Sequence, residues 1–176
     1  AGAGAERCTA WRVCPAGAGT DGEGTATQDR TCEACVSGVT FSSIADGSMC
    51  APVHTCTSIQ VETRAPSRWD DRACADCPAG HACDGSDVMK MCSAGWFAAA
   101  GSGMCSECGA GYWSAAGSAS CTACATGSFS AAGSGSELDC ITWRTCPAGQ
   151  GQKTAGSTTS NRVCEACQAS SASGYG

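Results

Sequence analysis

CTAWRVCPAGAGTDGEGTATQDRTCEAC, residues 8–35, sets the frame of the whole chain. Its cysteines follow the spacing Cys-x5-Cys-x17-Cys-x2-Cys, and that spacing returns twice without deviation. The three copies are Cys8, Cys14, Cys32, Cys35; Cys50, Cys56, Cys74, Cys77; and Cys140, Cys146, Cys164, Cys167. The first and third agree beyond the cysteines: CTAWRVCPAG matches CITWRTCPAG, and DRTCEAC matches NRVCEAC. The middle copy keeps the Asp71-Arg72 pair, puts Val53 in place of the Trp, and carries Trp69 elsewhere. Self-similarity of this kind marks a repeat architecture.

A shorter unit fills the gaps between these copies. It starts at a Cys, passes an aromatic, crosses a small-residue turn and ends at a Cys. The examples are CVSGVTFSSIADGSMC (35–50), CSAGWFAAAGSGMC (92–105), CGAGYWSAAGSASC (108–121) and CATGSFSAAGSGSELDC (124–140). Gly and Ser in the recurring AAGS phrase suit a tight turn, because Gly takes φ > 0 without a Cβ clash.

Composition says what such units are made from. The chain has 176 residues and 18 Cys, but only one Leu, three Ile, seven Val and three Phe. Those four types make up about 8 % of the residues, far below the roughly 20 % under which disorder is suspected. No single packed core of ordinary size can be filled from them, which excludes most enzyme folds. Cysteine above about 8–10 % marks a disulfide scaffold and an oxidising compartment. The expected location is therefore extracellular or cell-surface. The sequence opens AGAGAER, without a basic region followed by an apolar stretch, and is expected to be a segment of a larger secreted protein.

Net charge is −6, with Lys90 and Lys153 the only lysines. No basic stripe exists, so no nucleic-acid partner is expected. No apolar run of about 18 residues exists either, so no membrane insertion of this segment is expected. Asn161 is the only Asn and lies in no N-glycosylation sequon. Ser157, Thr158, Thr159 and Ser160 are candidates for O-glycans on composition alone.

These residues carry a resemblance that covers almost the whole chain. The short units look like ephrin-receptor-like (GCC2/GCC3) cysteine-rich repeats. The long units, ending in Asp-Arg-x-Cys-x2-Cys and followed by Gly-x-x-Phe-Ser, resemble tumour-necrosis-factor-receptor-like repeats. The resemblance implies receptor ectodomains or very large surface proteins of algae and other protists, including flagellar-hair (mastigoneme) proteins.

Cysteine spacing does not by itself fix connectivity. In an extended Cys-x2-Cys, the two Cα atoms lie about 10 Å apart, beyond the roughly 4.4–6.8 Å of a disulfide. The two cysteines of each such pair are therefore expected to bond in opposite directions. With the unit boundaries above, this gives Cys14 with Cys32, Cys35 with Cys50, Cys56 with Cys74, Cys77 with Cys83, Cys92 with Cys105, Cys108 with Cys121, Cys124 with Cys140, and Cys146 with Cys164. The segments that follow are 1–34, a long module whose first Cys pairs outside; 35–76, a short plus a long module; 77–91, a small loop; 92–107 and 108–123, short modules; 124–166, a short plus a long module; and 167–176, the opening half of a further one.

Cys8 and Cys167 are left over. Cys167 opens a short unit and Cys8 closes one, and the residues outside them add up to one module. An inter-copy disulfide completing a module head to tail is one reading. The alternatives are a chance boundary, or Cys8 meeting Cys167 within one copy.

Other chemistry is poorly supported. Cys105-x2-Cys108-x12-Cys121-x2-Cys124 is close to zinc-ribbon spacing, but the same cysteines continue the repeat frame. Cys-x2-Cys redox catalysis needs a helix N-terminus that nothing here supplies. His54 occupies the slot of Arg12 and Arg144, and His81 lies in a turn, so neither reads as a base. Asp70, Asp71, Asp84 and Asp87 are candidate Ca²⁺ contacts without a loop frame, so the expectation is no cofactor. Trp11 and Trp143 are expected to stack with Arg30 and Arg162 across the long loops. Phe41, Trp96, Trp113 and Phe129 are expected to lie over a disulfide, one per short unit.

The sequence thus implies a small disulfide-rich fold: an elongated tandem array of cysteine-rich modules with short β-hairpins and little helix, each module touching only its neighbours. The expected function is non-enzymatic: a structural segment of an extracellular filament, surface coat or flagellar appendage. Its partners are expected to be copies of itself, flanking repeats of the same chain, or other matrix and surface proteins. The alternative is a ligand-binding receptor ectodomain.

Overall fold

The computed structural model describes residues 9–168. Among them, every strand pairs antiparallel with the next in sequence, or with the one before. The hairpins are β1 (Ala18–Thr20) with β2 (Cys32–Ala34), β3 (Thr40–Phe41) with β4 (Ala51–Pro52), β5 (Gln60–Arg64) with β6 (Ala73–Asp76), and β7 (His81–Cys83) with β8 (Met89–Met91). They continue with β9 (Trp96–Phe97) and β10 (Ser106–Glu107), β11 (Tyr112–Trp113) and β12 (Thr122–Ala123), β13 (Ser128–Phe129) and β14 (Ile141–Thr142), and β15 (Gln150–Thr154) and β16 (Val163–Ala166). The one helical element described is the 3-10 turn Glu137–Asp139.

Strands of two or three residues do not hold a hairpin together in water. Here seven of the eight hairpins are closed by a cystine, while Cys77–Cys83 pins the end of β7 to the chain before it. Eight disulfides join Cys14 to Cys32, Cys35 to Cys50, Cys56 to Cys74, Cys77 to Cys83, Cys92 to Cys105, Cys108 to Cys121, Cys124 to Cys140 and Cys146 to Cys164. Their Cα–Cα separations run from 5.5 to 5.9 Å. Seven of the loops span 13–18 residues, a length at which chain entropy assigns about 3 kcal/mol per bond.

The cystines also serve as the core. The most deeply buried side chains are Cys14, Cys77, Cys92, Cys108, Ser114 and Ser130, and Val61 is the only large aliphatic among the buried residues described. Burying a hydroxyl requires a partner. Ser114 Oγ donates to Trp96 O at 3.1 Å, and Ser130 Oγ donates to Tyr112 O at 3.2 Å, each reaching the preceding module.

The chain forms two compact units. Of the described residues, one holds those up to Ala75 with Gly85–Val88; the other holds Asp76–Asp84 and those from Met89 on. Within the second unit the modules stack in a repeating register. The amide of the Gly three residues after an opening Cys donates to a carbonyl of the next module: Gly80 to Ala98 (2.7 Å), Gly95 to Ser114 (2.8 Å) and Gly111 to Ser130 (3.1 Å). The AAGS turn returns the contact, with Gly101 N donating to Cys77 O, Gly117 N to Cys92 O and Gly133 N to Cys108 O at 2.7–2.9 Å.

The stacking reaches one step further than nearest neighbours, which corrects the neighbour-only expectation. Gly80 faces the carbonyl of Gly117, and Gly95 that of Gly133, each two modules on. Both glycines sit at positive φ, +77° and +84°. The bare Cα lets two backbones meet where any side chain would intrude.

Candidate functional site

The repeat-specific chemistry of this chain lies in its long modules and in the cysteines that open new ones. Each long module carries a carboxylate or amide that ties its two ends. Asp29 Oδ1 accepts from Arg12 N at 2.7 Å and Arg30 N at 2.8 Å. Asp71 Oδ1 accepts from His54 N and Arg72 N, both at 2.7 Å. Asn161 Oδ1 accepts from Arg144 N at 2.7 Å and Arg162 N at 2.8 Å. One oxygen thus satisfies two amides eighteen residues apart in the chain, Arg12 and Arg30, His54 and Arg72, or Arg144 and Arg162. The two backbone hydrogen bonds hold the Asp29 carboxyl below its ordinary acidity range, since they favour the charged form. The Asp-Arg doublet was visible in the sequence, but its role as a backbone clamp was not; the constant offset from residue 12, 54 or 144 was the available signal.

The arginine that follows the clamp turns over the module. Arg30 lies over Trp11 at 4.7 Å from the ring centroid, and Arg162 over Trp143 at 5.9 Å. Arg30 also reaches Gly47 O at 3.3 Å and Glu23 at 3.1 Å. Arg162 Nη1 donates to Arg144 O at 3.3 Å, while Trp143 Nε1 donates to Ser157 O at 2.9 Å. The middle module has no Trp at this place. Its Arg72 pairs instead with Glu62, Nε to Oε2 at 2.6 Å, and donates to His54 O at 3.2 Å. Arg68 covers the displaced Trp69 at 4.5 Å. These arrangements tie the ends of each long module together.

The adjacent aromatics of the short modules differ in burial. Trp96 is 40 % exposed, whereas Phe97 is half-buried and forms a bridge with Ser118. Trp113 bridges Ser134 in the same way. Phe97 is therefore the counterpart of Trp113 and Phe129, and Trp96 the counterpart of exposed Tyr112. The module has two adjacent aromatics, and strand alternation sends only one inward.

Opening cysteines occupy one backbone position. Cys35 N donates to Gly17 O, Cys92 N to Gly80 O, Cys108 N to Gly95 O and Cys124 N to Gly111 O, all at 2.8–2.9 Å. Cys167 N donates to Gly149 O at 2.9 Å, so it sits where its sisters open modules, with its thiol free and exposed. Cys8 lies outside the described residues.

Metal chemistry finds no cluster. Among the described residues no group of three or more His, Cys, Asp or Glu is arranged to hold an ion. Cys105, Cys108, Cys121 and Cys124 are divided among three disulfides. Asp71 is engaged by the clamp and Asp70 pairs with Arg64 at 4.0 Å. His81 Nδ1 lies 3.1 Å from Ala79 O within its own turn. No helix among the described residues is long and apolar enough to cross a membrane. One open groove in the second unit, of about 290 Å³, is lined by Lys90, Met91, Ser93, Trp96 and Met104 together with Ala82 and the Cys92–Cys105 cystine.

The fold and site together define a small disulfide-rich protein, a tandem array of cystine-closed modules. Residues 124–164, the short and long modules closed by Cys124–Cys140 and Cys146–Cys164, match the family model of the TNFR/NGFR cysteine-rich region. No curated protein matches the chain. Among solved structures, 34 chains match; one belongs to the human RANKL/OPG complex, at 16 % identity over 90 % of this chain and 91 % of that one, with a TM-score of 0.32.

Proposed function

We propose that this chain is a structural repeat segment of an extracellular filament, surface coat or flagellar appendage. The observation that carries the reading is the recurring backbone register. The amide-to-glycine bond that seats Cys35, Cys92, Cys108 and Cys124 is made again at Cys167. A stack with one register has no built-in last member, and heterologous contacts that do not close on themselves build filaments. The seven segments bounded at 34, 76, 91, 107, 123 and 166 are its building blocks, and Cys167 of one copy bonds Cys8 of the next. Flanking repeats and neighbouring surface proteins are the partners, and the compartment is extracellular because reduced thiols would leave the modules without a core. Negative-stain electron microscopy of the refolded, oxidised protein tests this. Regular fibres are expected; particles of one size at every concentration would contradict it.

A second reading, a ligand-binding receptor ectodomain, draws on the groove beside Trp96, where Met91 and Met104 are 56 % and 72 % exposed. Aromatic and Met side chains are enriched at protein interfaces. Protection of Trp96 and Met104 from oxidative footprinting on adding an extracellular extract, with no fibres formed, would favour it.

A further inference from the structure

The short module closed by Cys124–Cys140 is longer than its sisters, with a sequence separation of 16 against 13. The extra length makes the 3-10 turn Glu137–Asp139, whose middle residue is Leu138. Leu138 is the only Leu of the chain and is 92 % exposed, so it adds nothing to the packing of its own module. The turn that presents it is nevertheless firmly built. Asp139 Oδ2 accepts from Gly135 N at 2.8 Å and from Ser136 N at 2.9 Å, and Cys140 N donates to Glu137 O at 3.0 Å. A rigid mount lowers the entropy lost when a side chain docks. The Asp139 carboxylate is spent on the turn, which leaves Glu137 as the carboxylate presented beside Leu138.

The same compact unit carries a groove of matching chemistry. Met91, Trp96 and Met104 give it apolar walls, and Lys90 lies among them. Lys90 is one of only two lysines in a chain of net charge −6. Neither Lys90 nor Glu137 has an ion-pair partner among the described residues. Glu107, opposite Trp96 in its hairpin, reaches over Gly133.

Turn and groove lie side by side. Gly135, at the base of the turn, packs on Ala94: a Cβ built on it would lie 2.9 Å from the Ala94 Cβ. Ala94 follows Ser93, which lines the groove. At its exposure Leu138 does not fill the groove of its own copy. A knob and a hole that neighbour each other on one subunit suit a two-fold contact, in which residue i meets residue j and j meets i. We infer that Leu138 of each copy docks in the Met91–Trp96–Met104 groove of a second copy, with Glu137 set against Lys90. Two apolar knobs leave water together, and the two charge pairs fix the orientation. This contact closes on itself and is separate from the head-to-tail joint through Cys167.

The test uses the full oxidised chain with its remaining thiols alkylated, so that no new disulfide links copies. Sedimentation equilibrium gives the dimerisation constant, and oxidative footprinting reads Trp96 and Met104. Wild type is expected to dimerise as concentration rises, with both side chains protected in step. Leu138→Ser, at an exposed position, is expected to keep all eight disulfides and to weaken dimerisation about a hundredfold. That is about tenfold for each of the two knobs, or roughly 2.8 kcal/mol together. Lys90→Glu and Glu137→Lys are each expected to weaken it about tenfold, and the double variant to restore it. A wild type that stays monomeric, or a dimer indifferent to Leu138→Ser and to the charge exchange, would overturn the inference. So would protection of Trp96 and Met104 that needs an added extracellular extract, because the groove would then belong to a foreign ligand.

Discussion

Replacing Gly95 with Ala separates module stacking from backbone conformation. Gly95 has φ +84°, and a Cβ there would intrude on Gly133 O and lie 2.6 Å from Gly133 C, both backbone atoms two modules on. Gly127 occupies the same position in the next short module but one, with φ +91° and nothing within 4 Å of its Cβ. Both substitutions carry the left-handed cost of an L-residue, about 1–2 kcal/mol. Only Gly95→Ala adds overpacking, typically about 1–3 kcal/mol when the neighbour is backbone that must shift. Gly95→Ala is therefore expected to destabilise the second unit by about 2–5 kcal/mol and Gly127→Ala by about 1–2 kcal/mol. Denaturant unfolding of the disulfide-intact protein measures the difference. Amide exchange locates it, because Gly95→Ala must also loosen the bond from residue 95 N to Ser114 O. Equal destabilisation by the two substitutions would refute the contact between alternate modules.

Four further outcomes follow from the geometry. Asp29 has its pKa lowered from 3.8 by the amides of Arg12 and Arg30, so its stabilising contribution is complete above that value and is lost as pH falls toward the lowered one; the Arg12 amide should exchange faster there, and Asp29→Asn should abolish that pH dependence while keeping the acceptor, as Asn161 does. Trp11→Ala should cost about 0.5–1 kcal/mol through the lost Arg30 stacking, read by thermal melting. Arg30→Ala should cost more than Trp11→Ala in the same assay, because it also removes the bond to Gly47 O. Removing the Cys77–Cys83 bond, whose sequence separation is 6, should destabilise less than removing Cys56–Cys74, with a separation of 18; chain entropy puts the two at about 2 and 3 kcal/mol, to be checked by unfolding of the double-Ala variants.

The small disulfide-rich fold was legible because cysteine is both the staple and the core here. A chain with one Leu leaves little else to bury, and Cys14, Cys77, Cys92 and Cys108 are indeed among its most buried side chains. The glycine three residues after most opening cysteines was visible as a pattern, and its positive φ at Gly17, Gly38, Gly80, Gly95, Gly111, Gly127 and Gly149 gives the physical reason. What that glycine meets was hidden. A contact between Gly80 and Gly117 depends on how modules are set against each other, which local spacing does not encode. The same limit explains Trp96, since two adjacent aromatics give no local sign of which one the strand turns inward. The clamp of Asp29, Asp71 and Asn161 escaped because its partners are backbone amides, which carry no letter in the sequence.

The central claim is that local, serial disulfides close one module after another. Peptide mapping of the unreduced protein tests it directly. Cleavage at acidic residues separates four of the five Cys-x2-Cys pairs, because Glu33, Asp76, Glu107 and Glu165 lie between their cysteines. The account predicts that each half leaves bonded to a different neighbour, Cys32 with Cys14 and Cys35 with Cys50 being the first instance. Recovery of Cys32 joined to Cys35, or of bonds linking distant modules, would contradict it.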